Sequence, residues 1–458
     1  MGAGSLLQLA VSGSHAEEYS VRGPTMTFWN GQAFRKHTPF SLETIEVSFD
    51  SQPVISHSEG GTFRARIGRH GDLLRDAVLS FELPDIYSGA EDAFRWVNYP
   101  GFALLESVSF YIDNQVIDVL YPEFEVVYGN SLESEKKATT NELSGHVDAM
   151  FSPRTEYPIM TIQNNNASYV YYPDSDELGR PSIVGRRIFL PLRFFWTRAT
   201  KQALPLISMQ YSAAYLEFKF RPLRDVFRVR DPGAPAGVDR WVAPGTRRPL
   251  SRFVDAATDV KPYNLGATLF LTYVSLGISE RQVLARAARL DYLVDVVRFE
   301  RINGIKGSGT YALTQFNHTV KAVVWMFVRS DVGETNNFGD YARVEGTEAD
   351  PMISCGLSIN GILREESKPA YFYSKIQGYH HTSGGSLPPG VYMYSFALSP
   401  FEQDPSGSIA LSAAGSLQFR MEIAMPADDP DITYDMLVYG ITSNIFRVSS
   451  GSAGLVFV

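Results

Sequence analysis

The sequence predicts an all-β protein made of two similar modules in tandem, on three observations. Apolar and polar residues alternate with period two over many short stretches, as in Val108, Phe110 and Ile112 set against Ser107, Ser109, Tyr111 and Asp113; that is the pattern of half-buried strands. Aromatic residues make up 13 %, with 37 Gly and 26 Pro, a mixture that suits pleated sheets with many corners. A word is said twice: Ser212-Ala213-Ala214-Tyr215-Leu216-Glu217-Phe218 returns as Ser412-Ala413-Ala414, then Leu417-Gln418-Phe419. Each copy follows an aromatic run and a Pro-containing corner, so the copies are read as the closing strands of the two modules. The length of 458 residues fits this reading, because single cores stop growing at roughly 250–300 residues.

Taken in order, the first strands are Thr44 to Phe49 and Leu79 to Leu83. Val108 to Val119 reads as a hairpin turning at Asp113-Asn114, with Asn the residue that tolerates positive φ. Pro122 to Tyr128 is a two-turn helix: Pro is favoured at the first helical position, Glu123 complements the positive end, and Gly129 offers a left-handed stop. Ile188 to Trp196 is a strand before the first repeat copy. From Arg221 to Pro262, six prolines and eight arginines interrupt any regular element, which reads as a linker or long exposed loop whose charges are solvated. Leu269 to Leu276 opens the second module. Ser279 then caps a short helix through Arg286, with Val283 and Leu284 inward. Tyr292 to Glu300, Val320 to Arg329, Val391 to Leu398 and Leu437 to Ile445 complete the strands.

Charge and composition narrow the function. A net charge of −9 supplies no field for nucleic acid. A single cysteine, Cys355, cannot make an intramolecular disulfide, which points to a reducing compartment and a core-filling role. No apolar stretch approaches the roughly 20 residues a membrane helix needs, and Leu6 to Val11 reads as an apolar arm without the basic lead of a signal peptide. His380-His381 has no third ligand at suitable spacing, and Gly304 to Gly309 lacks phosphate-loop spacing and reads as a turn between strands. Glu123 with Glu125, and Asp428, Asp429 and Asp431, read as a helix pair and a solvated loop. No nucleophile elbow occurs. Neither a catalytic centre, nor a cofactor, nor a metal site is expected. Two glycosylation sequons stand at Asn166 and Asn317.

Ile188-Phe189-Leu190-Pro191-Leu192-Arg193-Phe194-Phe195-Trp196, then Leu204-Pro205-Leu206 and Tyr211, closely resembles the end of the first jelly roll in the major capsid proteins of nucleocytoplasmic large DNA viruses. Asn317, His318, Lys321 and Trp325, and Tyr394 to Leu398 with Pro405, Ser406 and Gly407, are similar to that family's second domain. Arg69 to Leu73 and Gly451 to Phe457 fit its opening and its close. Ala410 and Ala413 depart from it, as does the absence of Gly at Asp113-Asn114.

The resemblance implies two tandem eight-stranded jelly rolls with short helical inserts: an arm at 1–24, a first jelly roll at 25–222, a linker at 223–262, a second jelly roll at 263–447 and a C-terminal segment at 448–458. It implies a homotrimer forming a pseudo-hexagonal capsomer, with neighbouring capsomers and minor capsid proteins as partners. It places the arm beneath the capsomer, an internal membrane nearby but not spanned, and assembly in the host cytoplasm or a virus factory. Two other readings stay open. One is a minor capsid or vertex protein of the same virus; the other is a β-sandwich carbohydrate-binding protein or enzyme, which would need exposed Trp and clustered carboxylates.

Overall fold

A computed structural model describes residues 37–457 except 89–92, 133–135, 152–159, 165–166, 174–178, 232, 234–239, 246–247, 256–258, 317, 343–348 and 427–430. Sixteen strands carry the fold. The first eight are β1 (Phe40–Val47), β2 (Gly61–Arg66), β3 (Leu73–Leu83), β4 (Leu105–Ile112), β5 (Gln115–Leu120), β6 (Arg186–Pro191), β7 (Ala214–Phe220) and β8 (Thr268–Leu276). The second eight are β9 (Arg289–Ile305), β10 (Gly309–Leu313), β11 (Thr319–Arg329), β12 (Met352–Ile359), β13 (Ile362–Pro369), β14 (Val391–Ser395), β15 (Leu417–Ile423) and β16 (Tyr434–Ser449).

The first eight make two antiparallel sheets, β1-β8-β3-β6 and β2-β7-β4-β5; the second eight make β9-β16-β11-β14 and β10-β15-β12-β13. Every strand of the second unit takes the place held eight strands earlier in the first, so the chain is a double jelly roll. In each unit the alternating faces meet between the sheets: Phe110, Leu216 and Phe218 in the first, Trp325, Leu357 and Phe419 in the second.

The sheet order revises the expected layout. Strand β8 pairs with β1 and β3 of the first unit, Leu271 opposite Ile45 and Ala77, and does not open the second. The proline- and arginine-rich stretch therefore lies between β7 and β8 of one unit. The repeat copies fall on β7 and β15, each a middle strand, so each unit closes with the strand that follows. Prolines mark breaks in regular structure, but only pairing says whether the chain returns to the same sheet afterwards.

The repeated word and the ladder are also out of register. Asp113 donates its backbone N–H to the Ala213 carbonyl at 2.7 Å, and Asn360 donates to Ser416 at 3.1 Å; these two clips occupy the same place in the two units. Ala213 thus corresponds to Ser416, while Ser412 to Ala414 belong to the short helix Leu411–Ala414.

Local expectations differ at five further points. In the β4–β5 turn the positive φ falls on Asp113, whose carboxylate accepts from the Ala213 amide at 2.8 Å. The strand expected through Trp196 ends at Pro191, with one more ladder bond from the Leu192 N–H to the Ala77 carbonyl at 2.9 Å; Phe195–Arg198 is a short helix. Strand β14 stops at Ser395, whose hydroxyl donates to the Ala397 carbonyl at 2.6 Å and turns the chain. The helix α1 (Pro122–Val127) starts at its proline as expected, but Gly129 continues into a π-turn, Tyr128–Leu132, and does not stop it. The helix α2 (Ile278–Arg286) is capped from Gly277, and Val283 is exposed.

Strand β11 shows why its sequence reads as an almost unbroken apolar run. Val323, Trp325 and Phe327 face the second core, and Ala322, Val324 and Met326 face a separate cluster on the other side of the sheet. A strand buried on both faces has no polar alternate. Gly304 takes positive φ at the register shift between Ile302 and Ile305 near the end of β9, and Gly307 takes positive φ in the turn to β10 that the sequence implied.

Candidate assembly site at the junction of the two units

The second side of β11 is where the units meet. Pro122 opens α1 without forfeiting an intrahelical bond, and Glu123 and Glu125 sit at the helix's positive end. The helix delivers Phe124, Val127 and Tyr128 onto the outer face of β9-β16-β11-β14, against Val324, Met393 and Tyr439. Phe124 is 1 % exposed, its ring 5.2 Å from Tyr439; Tyr121 lies 4.6 Å from Phe299. At the other end of the joint β9 and β16 overrun their sheet, and Val294, Val296, Phe446 and Val448 enter the first core. Phe195 and Phe446 rings stand 5.2 Å apart.

Charges fill the space between these apolar contacts. Arg193 Nη1 donates to Glu125 Oε2 at 3.2 Å and its Nη2 to Thr140 Oγ1 at 3.4 Å. The guanidinium groups of Arg193 and Arg198 each lie 5.6 Å from the Tyr128 ring centroid. Gly129 leaves room here: a Cβ would come 3.0 Å from Thr140 Cγ2 and 3.2 Å from the Arg193 guanidinium, a tight fit. Arg221 is bonded to Glu123. On the second unit's side Lys321, 1 % exposed, donates to Asp295 Oδ2 at 2.9 Å and to the Glu402 carbonyl at 3.3 Å. Among the bonds that cross the joint are Gln202 Nε2 to the Leu293 carbonyl at 2.7 Å and Lys201 to Asp404 at 2.6 Å.

Asp118 is 1 % exposed. Burial pushes its carboxyl up to about 7, while the Arg198 cation and the Phe195 and Val119 amides pull the other way. A buried acid with nearby but incomplete compensation is the expected outcome of that competition.

The motif residues divide between this joint and elsewhere. Lys321 is central to it, and Pro405, Ser406 and Gly407 belong to the loop that includes Glu402 and Asp404; Ser406 Oγ bonds the backbone of Ser399 at 2.9 and 3.0 Å. Leu204 bridges to Leu74, and Pro205 and Leu206 start the turn Leu206–Ser208. Pro191 ends β6. Tyr211, exposed, bonds through its amide to the Gly451 carbonyl at 2.9 Å. His318 accepts from the Leu411 amide at 3.2 Å. Asn166 and Asn317 lie outside the described residues.

Sequence reasoning missed Asp118, Arg193, Arg198 and Asp295. The signals available were the Glu123–Glu125 pair on a helix with an apolar face, and Lys321 standing inside an apolar run. Among the described residues no group of three His, Cys, Asp or Glu could hold a metal ion. Trp96, Trp196 and Trp325 are buried, and Arg95 lies 4.2 Å over the Trp241 ring, so these four are not open sugar-stacking platforms. No described helix is long and apolar enough to cross a membrane.

Residues 27–246 match the family model described as "Major capsid protein N-terminus", and residues 280–454 match "Large eukaryotic DNA virus major capsid protein". The chain is 24 % identical to the major capsid protein of Phaeocystis pouchetii virus and 25 % identical to that of Paramecium bursaria Chlorella virus 1, each alignment covering 99 % of both chains. Among solved structures, its fold is similar to the PBCV-1 virus capsid chain, with a TM-score of 0.67 over 94 % of this chain and 100 % of that one at 20 % identity. It is also similar to the Faustovirus major capsid protein, with a TM-score of 0.69 over 93 % of each at 12 % identity.

Proposed function

This chain belongs to the major capsid protein family of large eukaryotic DNA viruses, a structural protein of the virion capsid, and from that premise we propose that three copies associate into the capsomer that tiles the shell. The observation that carries the proposal is the repeat in the fold. Two units with the same strand order stand side by side in one chain, so three chains supply six comparable blocks around a threefold axis, and such a ring tiles a flat facet. The arm expected at residues 1–24 lies outside the described residues; in this proposal minor capsid proteins and an internal membrane are the capsomer's inner neighbours. The first jelly roll extends through Leu276, and the connection to the second is the stretch containing α2. The motif residues Lys321, Pro405, Ser406 and Gly407 keep the joint of the two units rigid, while Leu204, Pro205, Leu206 and Tyr211 hold the chain ends of the first. Assembly takes place in the host cytoplasm or a virus factory, and the sequon at Asn166 is the modification candidate.

Light scattering on the purified chain tests this. The expected mass is about three times the 50.9 kDa of one chain. Folded protein that stays monomeric at the concentrations of assembly would overturn the proposal.

A further inference from the structure

The two units share more than strand order, and where they differ a surface is left uncovered by the described residues. Asn360 stands 247 residues after Asp113 in the equivalent hairpin turn, and Pro369 stands 247 residues after Pro122. With this constant spacing, α1 and its π-turn correspond to the helical segment 370–381, itself a π-turn, Phe372–Ile376, followed by Gln377–His381. Phe124 corresponds to Tyr371. Phe124 fills the joint, whereas Tyr371 is 64 % exposed; Ile376 and Tyr379 are exposed beside it.

The receiving surface shows the same imbalance. In the second unit the outer face of β9-β16-β11-β14 is covered by α1. In the first unit the corresponding face, β1-β8-β3-β6, presents Leu42 at 54 % exposure and Phe40 beside it, with Phe270, Val78 and Phe189 half-buried along the sheet. The Phe189 and Phe270 rings lie 6.4 Å apart there. Glu46, Thr44, Asp76 and Arg187 share this face, so it is less apolar than its covered counterpart. The segment 370–381 matches it: two exposed tyrosines, Lys375, two histidines and no acid. Aromatic side chains with a polar tip are the residues that suit a contact formed between separately folded chains.

We propose that the contact between chains repeats the contact within the chain: helical segment 370–381 of one copy seats on the outer face of β1-β8-β3-β6 of the next. This rests on the capsomer reading above and supplies its interface. The contact is head-to-tail, using different surfaces on the two partners, and it closes because each chain advances the ring by two equivalent blocks.

The test uses the full chain with two double variants. One, Tyr371→Asp with Tyr379→Asp, alters the helix; the other, Leu42→Asp with Phe270→Asp, alters the face. Each alone is expected to run as a folded monomer, with the native circular dichroism spectrum, at concentrations where wild type is trimeric. Mixed one to one, they are expected to give a two-chain species, since the intact helix of the face variant meets the intact face of the helix variant. Variants that remain trimeric would overturn this interface and leave the capsomer reading standing. Two folded monomers that fail to combine on mixing would overturn the head-to-tail geometry. A wild-type chain that is itself monomeric would overturn the capsomer reading instead. Should Phe270→Asp unfold the chain, Leu42→Asp with Phe40→Asp, both at exposed positions, replaces it with the same expected outcomes.

Discussion

Replacing Asp118 with Asn should stabilise the protein, and by an amount that depends on pH in a defined direction. Asp118 is buried with its carboxyl held at about 7 against an ordinary value of 3.8. Below pH 4 the acid is protonated in both folded and unfolded chains and contributes no difference. As pH rises from 4 to 7 the unfolded chain ionises while the folded one keeps its proton, so stability is lost progressively; above 7 the full penalty persists. A raised value of this size corresponds to about 4 kcal/mol at pH 8 and about 1 kcal/mol at pH 4.5. Asn keeps the oxygen that accepts from the Val119 amide at 3.0 Å and removes the charge. Thermal melts of wild type and Asp118→Asn should therefore differ by roughly 8 °C at pH 8, from about 2 °C per kcal/mol for a large cooperative unit, and by only about 2 °C at pH 4.5. Equal effects at both pH values, or a loss of stability at pH 8, would refute the claim that burial dominates over the Arg198 cation at this site.

The remaining predictions concern the joint and the second core. Lys321→Met leaves Asp295 buried without its cation and should cost about 3–5 kcal/mol in urea unfolding; the double variant with Asp295→Leu should recover much of that. Trp325→Ala empties the centre of the second core, where the indole packs 4.7 Å from Phe419, and should cost about 3–5 kcal/mol, read as a lower melting temperature. Phe124→Ala removes a buried aromatic contact between α1 and the second unit and should cost about 3–5 kcal/mol, read as a lower melting temperature; an unchanged melting temperature would refute a stabilising role for that contact.

Periodicity made the strands legible because alternation is a local property: β4, β8, β11 and β16 all appear where their apolar residues alternate or run together. Pro122 set the start of α1 for the same reason. Residues whose role depends on a distant partner were not legible. Val283 has the spacing of an inward residue, but α2 has no sheet beneath it. Phe195 and Trp196 look like strand residues, and only the turn after Pro191 shows that they reach the core from a helix. Arg193 reads as an ordinary charge between aromatics until Glu125, 68 residues earlier, is brought to it.

By itself the sequence determined the all-β class, the two-module plan and, through its resemblance, the family, since each of these rests on residue type and order along the chain. The tertiary structure alone decided which strands pair. It returned β8 to the first unit across the proline-rich stretch and shifted the repeat by its ladder register. It also buried Asp118 and Lys321 at the joint. Pairing and burial are set by long-range contacts whose free energy exists only after the chain has closed on itself, and no local pattern of residues carries them.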